Sequence, residues 1–103
     1  MITIKNLRTG TPANPWGVRV DRQNGILGNP FFMKDESQRD AVCDKYAKWL
    51  DENAKLDNSP VKQELDRLLN IYKTYGRIDL WCWCAPKRCH AEKIREYILT
   101  RVS

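Results

Sequence analysis

The segment Ile78-Asp79-Leu80-Trp81-Cys82-Trp83-Cys84 constrains the fold more than any other. It is short, apolar on both faces apart from Asp79, and bounded by Gly76 and Pro86, the pattern of a central strand covered on both sides. Amphipathic helices flank it. Ser59-Pro60 offers an N-cap with proline at the first helical position, and Val61, Leu65, Leu68, Tyr72 and Tyr75 then form a stripe that ends at Gly76. Asp35 begins a second helical stretch, with Gln38 placed to close a capping box. Val42, Tyr46, Trp49 and Leu50 share one face, which predicts a helix from about Glu36 to Asn53. Ile94, Tyr97, Ile98 and Val102 mark a C-terminal helix that begins near Cys89 or His90.

The N-terminal third reads as extended chain and turns. Ile2 and Ile4 alternate with polar residues, as do Val18 and Val20, with turns at Thr9-Gly10-Thr11-Pro12 and Asn24-Gly25. The chain's 103 residues hold one domain, which spans 1–103. The expected architecture is α/β: a short sheet with its central strand near 78–84, packed by about three helices. An apolar fraction of 42% excludes a disordered or fibrous chain. The N-terminus lacks the long apolar core of a signal peptide and no stretch is long enough to span a bilayer, so a cytoplasmic protein is expected, without a membrane partner.

Eighteen basic against 13 acidic residues leave a net charge of +5, which favours anionic partners, small molecules or nucleic acid. Chemistry concentrates at Cys82-Trp83-Cys84-Ala85-Pro86-Lys87-Arg88-Cys89-His90, where the strand hands over to the last helix. Ligands bind at this carboxyl edge in open α/β sheets. A helix N-terminus there, with Lys87 and Arg88, would favour a phosphate or carboxylate. Cys89 at the helix start is placed for a lowered thiol pKa, and His90 is the only imidazole, so these two are the candidate catalytic residues. Cys82, Cys84, Cys89 and His90 are an alternative zinc set, although the usual spacing is a close pair plus a distant pair; no cofactor is the primary expectation. Cys82 and Cys84, as neighbours on one strand face, are expected to be buried free thiols. Trp81 and Trp83 point the other way; aromatics beside basic groups can stack bases, but in a strand covered by helices they belong to the core.

Leu27-Gly28-Asn29-Pro30-Phe31-Phe32 forms a second constrained segment, in which Gly28, Asn29 and Pro30 are candidate ligand-binding residues and the Phe rings anchors. Leu27 to Phe31, the helix carrying Arg39, Tyr46 and Trp49-Leu50, and the closing Leu80 to His90 run together resemble a family known as domain of unknown function 4326, found in bacteria and their viruses. The resemblance covers most of the chain, with Ala91 where the family often has glycine. It implies a compact α/β domain whose two motif loops form one site, and it brings no activity with it.

The sequence reading is therefore a domain, plausible in a virus or mobile element, that binds a nucleotide-like or nucleic-acid phosphate between Gly28-Asn29-Pro30 and Lys87-Arg88-Cys89-His90, with an enzymatic role on that ligand as one form of it. The alternatives are a Cys/His metal module and a non-catalytic protein that binds and inhibits a host protein. Gly28-Asn29-Pro30 and Cys89-His90 are expected to lie side by side.

Overall fold

A computed structural model describes every residue except Arg22, Phe32, Met33, Cys84, Ala85, Pro86 and Ser103. Three strands, β1 (Ile2–Asn6), β2 (Gly17–Arg19) and β3 (Ile78–Cys82), form a sheet of order β1-β3-β2, both outer strands running parallel to β3. Three helices, α1 (Arg39–Ala54), α2 (Pro60–Tyr75) and α3 (Ala91–Val102), complete the α/β fold.

Local signals explain the helix ends. The Ser59 hydroxyl accepts the Lys62 N–H at 3.0 Å, Pro60 occupies the first turn, and Gly76 closes α2 at φ 70°, a left-handed geometry that glycine adopts without a Cβ clash. The Asp35 cap works differently from a capping box. Its carboxylate accepts the Ser37 N–H, but the Gln38 side chain accepts from Lys34 instead of Asp35. The first turn, Glu36–Gln38, is consequently a tight 3-10 turn, and α1 proper starts at Arg39.

Strand alternation sorts the two faces of the sheet. Ile78, Leu80 and Cys82 of β3, Val18 of β2 and Val20 just beyond it are buried in one cluster with Tyr46, Leu50, Leu65, Leu68, Ile94 and Ile98, and Ile2 and Ile4 pack against it. Full burial of each Leu or Ile contributes roughly 1.5–3 kcal/mol, so this helix-covered face holds the fold together.

The opposite face corrects one expectation. β3 is buried along its whole length, but the cover on the second side is residues 7–16, which link β1 to β2. Trp81 lies beneath this segment at 8% exposure, beside Gly10 and Gly17. A Cβ on Gly17 would stand 3.1 Å from Pro12 Cβ and 3.3 Å from Trp81 Nε1, so the close crossing depends on glycine there. Trp83, beyond the strand end and beyond this cover, is 51% exposed and does not belong to the core. Among the described residues, no helix is long and apolar enough to cross a membrane.

Candidate functional site

Two consecutive residues at the exit of β2 hold the two ends of the β3–α3 connection. The Val20 carbonyl meets His90 Nε2, and the Asp21 carboxylate accepts the Trp83 indole N–H at 2.9 Å. Asp21 is 5% exposed and also receives Arg19 through Nε at 3.1 Å and Nη2 at 2.6 Å. The Arg19 hydrogen bonds, aided by that from Trp83, hold its carboxyl below the usual range despite burial. The exit of β1 joins in, with the Leu7 N–H donating to the Cys82 carbonyl at 2.8 Å.

Tyr46 connects this arrangement to the Gly28 motif. Fully buried, it donates its hydroxyl to the Leu27 carbonyl at 2.7 Å, and its ring meets His90 edge-on, centroids 4.9 Å apart. Burial, with a smaller contribution from Cys89, pushes its phenol well above the ordinary tyrosine range, so it remains a donor. The two motifs therefore approach each other through Tyr46. Within the loop, the Gly28 N–H donates to the Asn24 carbonyl at 2.8 Å, Asn29 Oδ1 accepts the Phe31 N–H at 2.9 Å, and Pro30 is exposed. The Asn29 bond is an Asx turn that ties the loop to itself.

Lys87 and Arg88 meet carboxylates of the chain itself. Lys87 pairs with Glu36 at 3.1 Å; Arg88 pairs with Asp40 at 3.0 Å and Asp44 at 2.8 Å, while its carbonyl accepts from Arg39 at 2.9 Å. Arg39, then Lys87, draws the Glu36 carboxyl down to about 2, and the two aspartates raise the Arg88 pKa further. At the start of α3, the Glu92 carboxylate accepts the Cys89 N–H at 3.1 Å. Much of the positive potential expected to attract an external anion is thus met internally, and a ligand has to share Arg88 with α1.

Beside these groups lies a cavity of about 410 Å3 between α1 and α3. Cys89, His90 and Cys43 form part of its wall, with Arg88, Arg95 and Lys93 around them. Gly28, Asn29 and Pro30 do not line it. Cys89 and His90 are 3% and 8% exposed, and Sγ lies 3.4 Å from Nδ1. A carbonyl oxygen can only accept, so His90 carries a proton on Nε2 toward Val20. In the neutral ring Nδ1 is then the acceptor facing the thiol. Ala91 is fully buried at the start of α3, its methyl part of the core where a glycine would leave a gap. A wider cleft of about 700 Å3 runs along β2 past Arg19, Glu64 and Arg67, but Glu64 and Arg67 pair with each other at 2.6 Å and, among the described residues, no thiol or imidazole lines it.

Cys43, Cys82 and Cys89 are buried. Cys82 sits inside the helix-side core; Cys84, its partner in the expected pair and in the zinc set, lies outside the described residues. Among the described residues, no group of three or more His, Cys, Asp or Glu side chains is placed to hold a metal.

The Asp21 clamp has a pH signature. Its folded pKa is depressed, so its stabilisation is complete above the unfolded value near ~3.9 and is lost as pH falls through the lower, folded value. Tryptophan emission from wild type minus that from Trp83→Phe should stay constant down to about pH 4 and change only below it. A transition centred above pH 5 would contradict the clamp.

Asp21, Arg19, Tyr46 and Glu92 were not singled out as site residues from sequence. Only Glu92 carried a local sign, an acid in the first turn of a helix. The family model described as Domain of unknown function (DUF4326) matches residues 4–100. No curated protein and no solved structure matches the chain.

Proposed function

This chain belongs to the family described as domain of unknown function 4326, and because that description carries no activity, we propose from the chain's own residues that it binds a small phosphate- or carboxylate-bearing ligand of nucleotide type in the α1–α3 cavity, with Cys89 and His90 as the reactive pair. One observation carries the reading: a thiol and an imidazole 3.4 Å apart form part of the wall of a cavity that also presents Arg88 and Arg95. Its volume of about 410 Å3 falls within the range of small-molecule sites. Among the described residues, no carboxylate pairs with half-buried Arg95, whereas Glu92 bonds the Cys89 N–H and Glu96 pairs with Lys93. Arg95 is therefore the cation most available to an incoming anion.

The Val20 carbonyl sets the tautomer that makes the pair useful. Cys89 S–H passes its proton to Nδ1, leaving a thiolate beside an imidazolium whose Nε2–H stays on Val20. The arrangement follows the logic of a nucleophile, a base and a group that orients the base, with a backbone carbonyl in the third place.

Titration of the protein with inorganic phosphate, AMP and ATP, followed by amide shifts, tests the reading. Signals from residues 88 to 96 should move, and Arg95→Ala should weaken binding roughly tenfold, as for loss of one charge-assisted hydrogen bond. Bound ligand should also slow alkylation of Cys89 by iodoacetamide relative to Cys82. No shift in 88 to 96 with any of the three ligands would reject the proposal.

A further inference from the structure

The sheet face turned away from the helices carries charges and rings that packing does not require. Its two acids, Asp21 and Asp79, are 5% and 2% exposed. Asp21 is held by Arg19 and Trp83, and Asp79 by Lys5 at 3.5 Å. The cations on this side remain open to solvent: the side chains of Lys5, Arg19 and Arg77 are 39%, 31% and 45% exposed, and Arg8, just past β1, is exposed with no carboxylate partner among the described residues. The two carboxylates offset only part of the charge of the four cations, so this face keeps a net positive sign, with Arg8 the cation most open to an outside anion. The asymmetry is visible along the chain as well, since residues 1–34 hold five Lys or Arg and a single acid, Asp21.

Aromatic rings accompany the charge. Trp83 is 51% exposed although its N–H is fixed on a buried carboxylate, so the ring is oriented while much of its surface stays open. At the opposite end of the sheet, where α2 gives way to β3, Arg77 stacks over the Trp16 ring at 4.8 Å, and Tyr75, 45% exposed, stands 5.9 Å from Trp16. Lys5 lies 5.4 Å from the centre of the covered Trp81 ring, between these two ends.

We propose that this face binds single-stranded nucleic acid over a few nucleotides, with an unpaired base stacked on Trp83 and the adjoining phosphates against Arg8, Arg19 and Lys5. Stacking on an open, pre-oriented indole requires a base free of its partner, which selects a single strand over a duplex. Because every base has a π face, recognition is tolerant of sequence. The phosphates explain why the exposed charge on this face has one sign. The helices and the α1–α3 cavity lie on the other side of the sheet, so the two sites take separate ligands, although consecutive residues, Val20 and Asp21, anchor His90 in one and Trp83 in the other.

Fluorescence anisotropy with a labelled dT12 strand at low and moderate salt tests the face. Wild type should bind, with affinity falling linearly in log-log form as salt rises and with tryptophan emission quenched. Trp83→Ala should weaken binding roughly five- to one-hundredfold, Trp83→Phe should keep most of it, and Trp83→Leu, which retains apolar bulk without a π face, should behave like Ala. Arg8→Ala should weaken binding and flatten the salt slope, while Arg95→Ala should leave dT12 binding within about twofold of wild type although it weakens anion binding in the cavity. Absence of dT12 binding at low salt, a Trp83→Leu variant within twofold of wild type, or a duplex of equal length bound as well as the single strand would each overturn the proposal.

Discussion

Replacing His90 by Ala should lower the unfolding free energy by about 2–5 kcal/mol, from the buried volume removed and the carbonyl left without a partner. His90 is 8% exposed, bonds the Val20 carbonyl and packs against Tyr46. Without it, the end of β2 and the start of α3 lose the bond between them. Urea denaturation gives the number directly. A loss under about 1 kcal/mol would mean that the Val20 contact is not holding the fold. His90→Gln, which can still donate a hydrogen bond, should recover part of the loss but none of the proposed base function, because an amide does not accept a thiol proton at neutral pH. Stability and Cys89 reactivity can thus be separated: His90→Gln should slow iodoacetamide alkylation of Cys89 by more than its stability change explains.

What could be seen in the sequence followed from how local its causes are. Helix α2 was legible because Ser59, Pro60 and Gly76 act on their immediate neighbours. The hydrophobic face of α1 was legible too, although its first turn tightened once the Gln38 amide reached Lys34. Strand order was not legible. That β1 and β2 flank β3 depends on residues 7–16 crossing over Trp81, a path made possible by the absence of a side chain at Gly17. The same crossing is why one expected core tryptophan is buried and the other is open: a linking segment covers less of a sheet than a helix does.

In the candidate site, the Cys89-His90 pair was visible because the two are adjacent in sequence. Its orienting partner was not, since a backbone carbonyl such as that of Val20 has no residue code. Lys87 and Arg88 looked available for an anion because neither adjoins an acid in sequence, and the nearest one, Glu92, turns to the Cys89 N–H. Their partners, Glu36, Asp40 and Asp44, recur at steps of four and make an acidic stripe beside the arginine once α1 packs near the start of α3. That stripe was the signal for internal pairing, and it gains meaning only when the two segments are brought together.

Tyr46→Ala should have the largest effect of all, about 3–5 kcal/mol for a fully buried aromatic side chain, a large part of the ~5–15 kcal/mol typical of a whole domain. Tyr46→Phe, which removes only the hydroxyl, should cost about 1–3 kcal/mol because the Leu27 carbonyl then lacks its donor. The two variants divide the role of the residue. The hydroxyl holds the loop before Gly28, and the ring supports His90. Hydrogen exchange should show the division: in Tyr46→Phe the amides of residues 27 to 31 lose protection while those of 89 to 94 keep it, and in Tyr46→Ala, at a temperature where it still folds, both groups lose protection together. Since 27 to 31 and 89 to 94 are far apart in the chain, joint loss from one substitution is the behaviour of a single coupled unit. Loss confined to residues 27 to 31 in Tyr46→Ala would show that the two motifs share a neighbourhood without sharing stability, and the Gly28-Asn29-Pro30 loop would then have no claim on the chemistry of Cys89 and His90.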